Sequence, residues 1–273
     1  MSCESMPRES KYYPVLLEQQ VQSTTHEIYW NLHGLPKVPG RLFDYQEMVL
    51  YSLAKFVNFF NRNSCLGDFL AGHLKDGQQM LEGNIFLQPI AGDRDHSPTN
   101  IPHIAGKEAG NGIYLDGDYG FILCWRPDQR TDPLILATTS FSPGNRLSRY
   151  NPKLSYPDVT TPVVIQLQAQ SYSTNYCYAN PRVERREMAF EALSRFRWEH
   201  ALVSIATQWT QSAGFPVINL LPGAQNRYAH HREEQMKMRY DVTAKRCGFK
   251  LGENGLYVLP TELIVDPSRL GTC

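Results

Sequence analysis

The sequence predicts an α/β (α+β) protein in which a mixed, partly antiparallel sheet is flanked by helices. Residues 161–263 alternate in the order strand, helix, strand, helix, strand, which is typical of crossover units with a parallel sheet edge. Two aromatic and β-branched runs, 113–125 and 134–141, flank a short polar loop and predict an antiparallel hairpin. Apolar side chains at helical spacing predict an amphipathic helix at 45–61.

The chain before the hairpin divides into an arm, a helical portion and a loop. Residues 1–40 are polar and interrupted by prolines, which predicts an arm lying over the body of the protein. After the first helix, a second helix is expected at 65–74 and a short strand at 83–90. The long loop at 91–112 has two equal interpretations, a cover over a binding site and a disordered surface segment.

Composition restricts the class of protein. The 273 residues contain 27 Lys plus Arg and 27 Asp plus Glu, so no global field favours nucleic acid or an anionic membrane. The six cysteines form no CxxC pair, which argues against a structural zinc site or a thioredoxin-type redox motif. No long apolar run occurs near the start, so we expect neither a signal peptide nor a membrane anchor, and a cytoplasmic location.

The predicted strand at 163–172 alternates apolar and polar side chains. An apolar face begins at Val163 and ends at Ala169, and the opposite face carries glutamines. Central parallel strands are normally apolar on both faces. The row therefore indicates an edge strand, a solvated face or a cleft lined with amides, and we favour an edge or a solvated face. If it lines a cleft, the candidate substrate-binding residues are Gln166, Gln168 and Gln170.

A long helix is predicted to follow this strand, with a break or bend between its two apolar stripes. Its first turn carries Arg182, Arg185 and Arg186. Cations there oppose the helix dipole at a cost of a few tenths to about 1 kcal/mol each, whereas a bound phosphate would make them favourable. The interleaved Glu184 and Glu187 offer the alternative of surface ion pairs. The three arginines are therefore candidates for binding an anionic group of a cofactor.

From the hairpin to the terminal strand, residues 112–265 resemble the GNAT N-acyltransferases in their order of elements. The most similar local stretch is 244–249, where the last helix ends in Gly248-Phe249 before a strand. In that family the fourth and fifth strands splay to admit the pantetheine arm of coenzyme A, and the connection after the fourth strand cradles its pyrophosphate. The family's glycine-containing loop has no counterpart in residues 175–186, so the three arginines take its place in this hypothesis.

The resemblance implies transfer of an acyl group from acetyl-CoA or another acyl-CoA to an amine on a small molecule or peptide, without a metal. Ala244 stands where the family usually has a tyrosine, so Tyr240 is the nearest candidate acid for the departing thiolate. His200 is the candidate base. The alternatives are a packed Tyr240 with a satisfied hydroxyl and a histidine that is merely packed or exposed.

The organisation predicted on this basis is an arm at 1–40, a helical portion with the long loop at 41–111, and a GNAT-like core at 112–273. The last two can equally form a single domain. The helical portion of 41–111 contains the second predicted helix, which starts at Cys65.

Other function classes stay open. Cys65 stands at a predicted helix N-terminus, which favours the thiolate, and His103 follows downstream, so a cysteine hydrolase is one alternative to a buried unreactive cysteine. A metal at His230, His231 and Glu234 is disfavoured, because neighbouring helix residues point to different sides. A non-catalytic ligand- or protein-binding protein is the other alternative.

Overall fold

The computed structural model describes residues 45–63, 65–91, 116–128, 134–149, 151–169 and 183–263. The predicted arm at 1–40 and nearly all of the loop at 91–112 lie outside these residues. The helices are Tyr45–Arg62 (α1), Cys65–Ala71 (α2), Val183–Ser194 (α3), Trp198–Ser212 (α4), Ala229–Met236 (α5) and Thr243–Arg246 (α6), and a π-helical turn at Lys237–Val242 joins the last two. The strands are Asn84–Ala91 (β1), Tyr119–Arg126 (β2), Leu134–Pro143 (β3), Pro162–Ala169 (β4), Val217–Leu220 (β5), Lys250–Leu251 (β6) and Tyr257–Pro260 (β7).

The predicted mixed α+β fold class is confirmed. The described strands form one seven-stranded sheet in the order β1-β2-β3-β4-β5-β7-β6. The β4–β5 pair is parallel and the other pairs between described strands are antiparallel. Only the first expected crossover therefore leads to a parallel neighbour. The second leads into the β6–β7 hairpin, where the sequence suggested a single final strand.

The prediction for the glutamine row is wrong in two respects. Strand β4 lies between β3 and β5, so it is not an edge strand of the sheet, and Gln166 is 2% exposed, so it is not on a solvated face. A β-bulge also changes the alternation, because Ser140 pairs with Gln166 while Phe141 pairs with Val164. Ile165 is thereby left as the extra residue.

The bulge divides β4 between two apolar clusters. Val163 and Ile165 pack in a small cluster with Leu147, Leu154, Leu221 and Leu256. Val164 and Leu167 pack in the main core instead. Leu167 is therefore on the opposite face from Ile165, whereas simple alternation placed them together.

The main core joins α1, α2, the sheet, α4 and the last helix, which we define as residues 229–246. At its centre the Trp209 ring on α4 stacks on Phe141 of β3 with 4.6 Å between ring centroids. Both rings are nearly inaccessible to solvent. Cutting a buried ring of this size back to alanine typically costs about 3–5 kcal/mol, so this contact fixes α4 on one face of the sheet.

The predicted break in the long helix is confirmed, since α3 ends at Ser194 and α4 begins at Trp198. The break is bonded to the segment after α2. The Arg197 amide donates to the His73 carbonyl at 2.9 Å, and the Lys75 amide donates to the Arg195 carbonyl at 2.8 Å. These bonds satisfy backbone groups that a continuous helix would have paired internally.

Candidate functional site

The parallel pairing between β4 and β5 is short. It joins Val163 to Asn219 and Val164 to Leu220, and the Leu221 amide then donates to the Val164 carbonyl at 2.9 Å. The chain next turns at Gly223 and leaves the sheet. We call the stretch of β4 that β5 no longer pairs, residues 165–167, the strand opening.

Side chains supply the hydrogen bonds that a strand would have made at the strand opening. The Leu167 amide donates to the Tyr240 hydroxyl at 3.0 Å, and that hydroxyl donates to the Ile165 carbonyl at 3.2 Å. The side-chain amide of Asn226 donates to the same Ile165 carbonyl at 3.4 Å. The Arg239 guanidinium donates to the Leu167 carbonyl at 3.3 Å. The strand opening is therefore a buried stretch of β4 whose backbone groups are bonded by a tyrosine, an asparagine and an arginine in place of β5.

Tyr240 reaches the strand opening from a π-helical turn, Lys237–Val242. π-Helical turns are rare and occur often at functional sites. The turn at Gly223 presses against this helix, because a Cβ at Gly223 would lie 2.6 Å from the Met236 carbonyl oxygen. The Asp241 carboxylate accepts the Gly223 amide at 2.7 Å. These two contacts fix the helix, and with it Tyr240, against the end of β5.

Tyr240 is buried, with 3% of the residue exposed to solvent. Burial raises the pKa of Tyr240 well above its usual range, and the nearby negative charge of Asp116 acts in the same direction. The hydroxyl therefore keeps its proton at neutral pH and can serve as a hydrogen-bond donor.

Two of the predicted glutamines belong to a buried polar network beside the strand opening. The side-chain oxygen of Gln166 accepts the Ser140 hydroxyl at 2.8 Å and the Asp116 backbone amide at 3.1 Å. The Gln166 amide nitrogen donates to the Gln168 side-chain oxygen at 2.8 Å. Gln166 is thus a fixed anchor for Asp116, while Gln170 lies outside the described residues.

Asp116 is the charged group of this network and is 7% exposed. Its carboxylate lies 2.9 Å from the guanidinium of Arg227, in the connection after β5. Burial raises the pKa of Asp116 to about 6, and the Arg227 charge acts in the opposite direction. The Arg227 guanidinium also stands over the Tyr228 ring, 4.7 Å from its centroid.

Sequence reasoning missed both Asp116 and Arg227. A usable signal was the run Asp116-Gly117-Asp118 inside the predicted strand 113–125, since a glycine within a strand can mark a close backbone approach. A Cβ at Gly117 would lie 2.8 Å from the Phe141 backbone. Asp118 forms its own ion pair with Arg146, at 3.3 Å.

His200 has a different environment from Tyr240. Its ring lies beside that of His73, with 5.0 Å between centroids, and His73 donates through Nδ1 to the Phe69 carbonyl at 2.9 Å. Burial lowers the pKa of His200, and His73 lowers it further. The structure therefore places His200 at the contact of α4 with the segment after α2.

The candidate cofactor-binding arginines are described only in part. Arg185 and Arg186 lie in the first turn of α3, as the sequence predicted, while their side chains and all of Arg182 lie outside the described residues. Cys65 is the first residue of α2, and its thiol donates to the Asn63 carbonyl at 3.5 Å. His103 lies outside the described residues.

The two adjacent histidines lie together, against expectation. The rings of His230 and His231 have centroids 3.8 Å apart, and the next residue, Arg232, departs from helical geometry with φ −146° and ψ 45°. Within the described residues, no three or more His, Cys, Asp or Glu side chains are grouped as metal ligands would be.

Comparisons with protein-family models, with curated proteins and with solved structures find no match to this chain. In the part of the chain that the structure describes, no helix is both long enough and apolar enough to span a bilayer.

Proposed function

We propose that this protein transfers an acyl group from an acyl-CoA, such as acetyl-CoA, to an amine at the strand opening. The observation that carries the proposal is the end of β4–β5 pairing after Val164, with the Tyr240 hydroxyl bound to the next backbone groups of β4. The sequence resemblance to GNAT N-acyltransferases supports the same reaction.

An unpaired strand edge favours an extended ligand that carries amides. Such a ligand binds a sheet edge through main-chain hydrogen bonds, as an added strand does. The pantetheine arm of coenzyme A is extended and contains two amides of this kind. The Leu167 amide and the Ile165 carbonyl are the donor and acceptor that it would meet, once the side chains that now occupy them withdraw.

In the proposed reaction the amine nitrogen attacks the thioester carbonyl carbon, and the carbon–sulfur bond breaks as the carbon–nitrogen bond forms. The sulfur leaves as a thiolate, and the amine releases its proton to solvent. The neutral Tyr240 hydroxyl would donate a hydrogen bond to the sulfur as negative charge develops there. A hydrogen-bond donor that stabilises charge developing in the transition state is among the strongest contributions to catalysis.

The phosphate groups of coenzyme A carry negative charge, and in this proposal they bind at the start of α3. The helix begins at Val183, so its first amides are unpaired within the helix. Arg182, Arg185 and Arg186 are in this part of the sequence. Helix N-termini and arginines both favour phosphate.

The experiment is a turnover assay that follows thiol release from acetyl-CoA with a panel of primary amines. We expect turnover by the wild-type protein and a loss of about a hundredfold in kcat for Tyr240→Phe, the typical effect of removing one such donor. Tyr257→Phe is the matched control, because Tyr257 is also buried but lies on β7. Its kcat should stay close to that of wild type, because the hydroxyl bonded at the strand opening is that of Tyr240.

Equal kcat in Tyr240→Phe and wild type would contradict the role of Tyr240. Binding of acetyl-CoA without turnover of any amine would contradict the transferase proposal and would favour a non-catalytic ligand-binding protein.

A further inference from the structure

Asp116 is a buried carboxylate with a replaceable partner. Taking a carboxylate out of water is costly unless a cation or hydrogen bonds compensate. The Asp116 side chain is 9% exposed, but that of its partner Arg227 is 36% exposed. Arg227 also comes from the connection after β5, outside the sheet. A partner with this much solvent exposure can leave the carboxylate without unfolding the sheet.

The neighbouring ion pair provides the contrast. Asp118 is only two residues away, and its side chain is 4% exposed. Its partner Arg146 is 19% exposed, about half the value for Arg227. The Asp118 amide also donates to the Ser142 hydroxyl at 2.8 Å, which ties this pair to β3. The Asp118–Arg146 pair therefore has the character of a structural contact.

We propose that Asp116 is the binding carboxylate for a cationic primary amine, whose ammonium group displaces Arg227. The identification of this amine as the acyl acceptor rests on the function proposed above. Because one cation replaces the other, the buried carboxylate always has a cationic partner. Binding therefore avoids the free-energy cost of a buried, isolated charge.

The surroundings of Asp116 suit this role. Its backbone amide donates to the side-chain oxygen of Gln166 at 3.1 Å, which places Asp116 beside β4. Gln166 is itself one of the residues of the strand opening, so Asp116 is bonded directly to this stretch of β4. An ammonium bound by Asp116 would therefore lie beside the strand opening, where the thioester is proposed to bind. Before attack it releases one proton to solvent, and the neutral amine then releases a second proton to solvent as the carbon–nitrogen bond forms.

The test uses the full chain without acyl-CoA and titrates it with cadaverine, a diamine, and with pentanediol, the uncharged analogue. Calorimetry should show that the wild-type protein binds cadaverine and does not bind pentanediol. The substitution Asp116→Asn should abolish the binding of cadaverine. Removing the competing cation in Arg227→Gln should tighten cadaverine binding about tenfold, a change of about 1.4 kcal/mol. In the same variant cadaverine should restore part of the lost thermal stability.

Arg146→Gln is the matched control, because it also leaves a buried aspartate without its arginine. Cadaverine should not restore its stability. The proposal is overturned if cadaverine binds Asp116→Asn as well as wild type, or if it affects Arg227→Gln and Arg146→Gln equally. Cadaverine binding at Asp116 with no binding of acetyl-CoA would leave this inference standing and would contradict the transferase function.

Discussion

At Ile165 and Leu167 of β4, the Tyr240 hydroxyl makes the hydrogen bonds that a neighbouring strand would make. It accepts the Leu167 amide and donates to the Ile165 carbonyl, which are the two bonds that an adjacent backbone would provide. A buried backbone group without a partner costs about 1–3 kcal/mol. The hydroxyl therefore has a structural role in the ligand-free protein, besides the proposed one in chemistry.

This role predicts the effect of Tyr240→Phe on stability. The change keeps the ring but leaves the buried Leu167 amide without its acceptor. We expect the free energy of unfolding to fall by about 1–3 kcal/mol, measured by urea denaturation. The substitution Tyr257→Phe should change the free energy of unfolding by less. If Tyr240→Phe is as stable as wild type, water has taken over the hydrogen bonds of the Tyr240 hydroxyl.

At the scale of elements, periodicity predicted helices well and sheet details poorly. The first helix was expected at 45–61 and is found at Tyr45–Arg62, because apolar spacing alone decides which face of a helix is buried. The orientation of β4 depends instead on its pairing with β3. The bulge at Ile165 is determined by that pairing, and no local pattern in the sequence shows it.

The contact between α4 and the segment after α2 predicts a pH dependence. Burial lowers the pKa of His73 and of His200, and the positive charge of Arg197 lowers both further. The unfolded histidines take up protons near the ordinary value of 6.5, while the folded ones stay neutral. The unfolded state then binds more protons, so these two residues reduce stability as the pH falls through about 6.5.

The measurement is the difference in unfolding free energy between wild type and His200→Gln as the pH is lowered. The difference is used because Asp116 and Glu199 have raised pKa values and act in the opposite direction at lower pH. We expect wild type to lose more stability than the variant below about pH 6.5. Parallel curves would contradict the neutral state assigned to His200.

At the scale of the whole molecule, the site combines parts of the chain that are far apart in sequence. Gln166 bonds to Asp116 across 50 residues, and Tyr240 bonds to Ile165 across 75. The sequence made Tyr240 a candidate through a family resemblance, and Gln166 and Gln168 through a row of like residues. It did not identify Asp116 and Arg227, since each resembles an ordinary surface charge until the fold brings them together.

The central claim is that the strand opening binds acyl-CoA, and the most direct test is the melting temperature at increasing acetyl-CoA concentration. A ligand that binds only the folded state stabilises it by about 2.7 kcal/mol at a hundred times its Kd. For a chain of this size that corresponds to a rise of about 5–10 °C. We predict a rise of this kind that saturates, and an unchanged melting temperature of the folded protein at millimolar acetyl-CoA would contradict the claim.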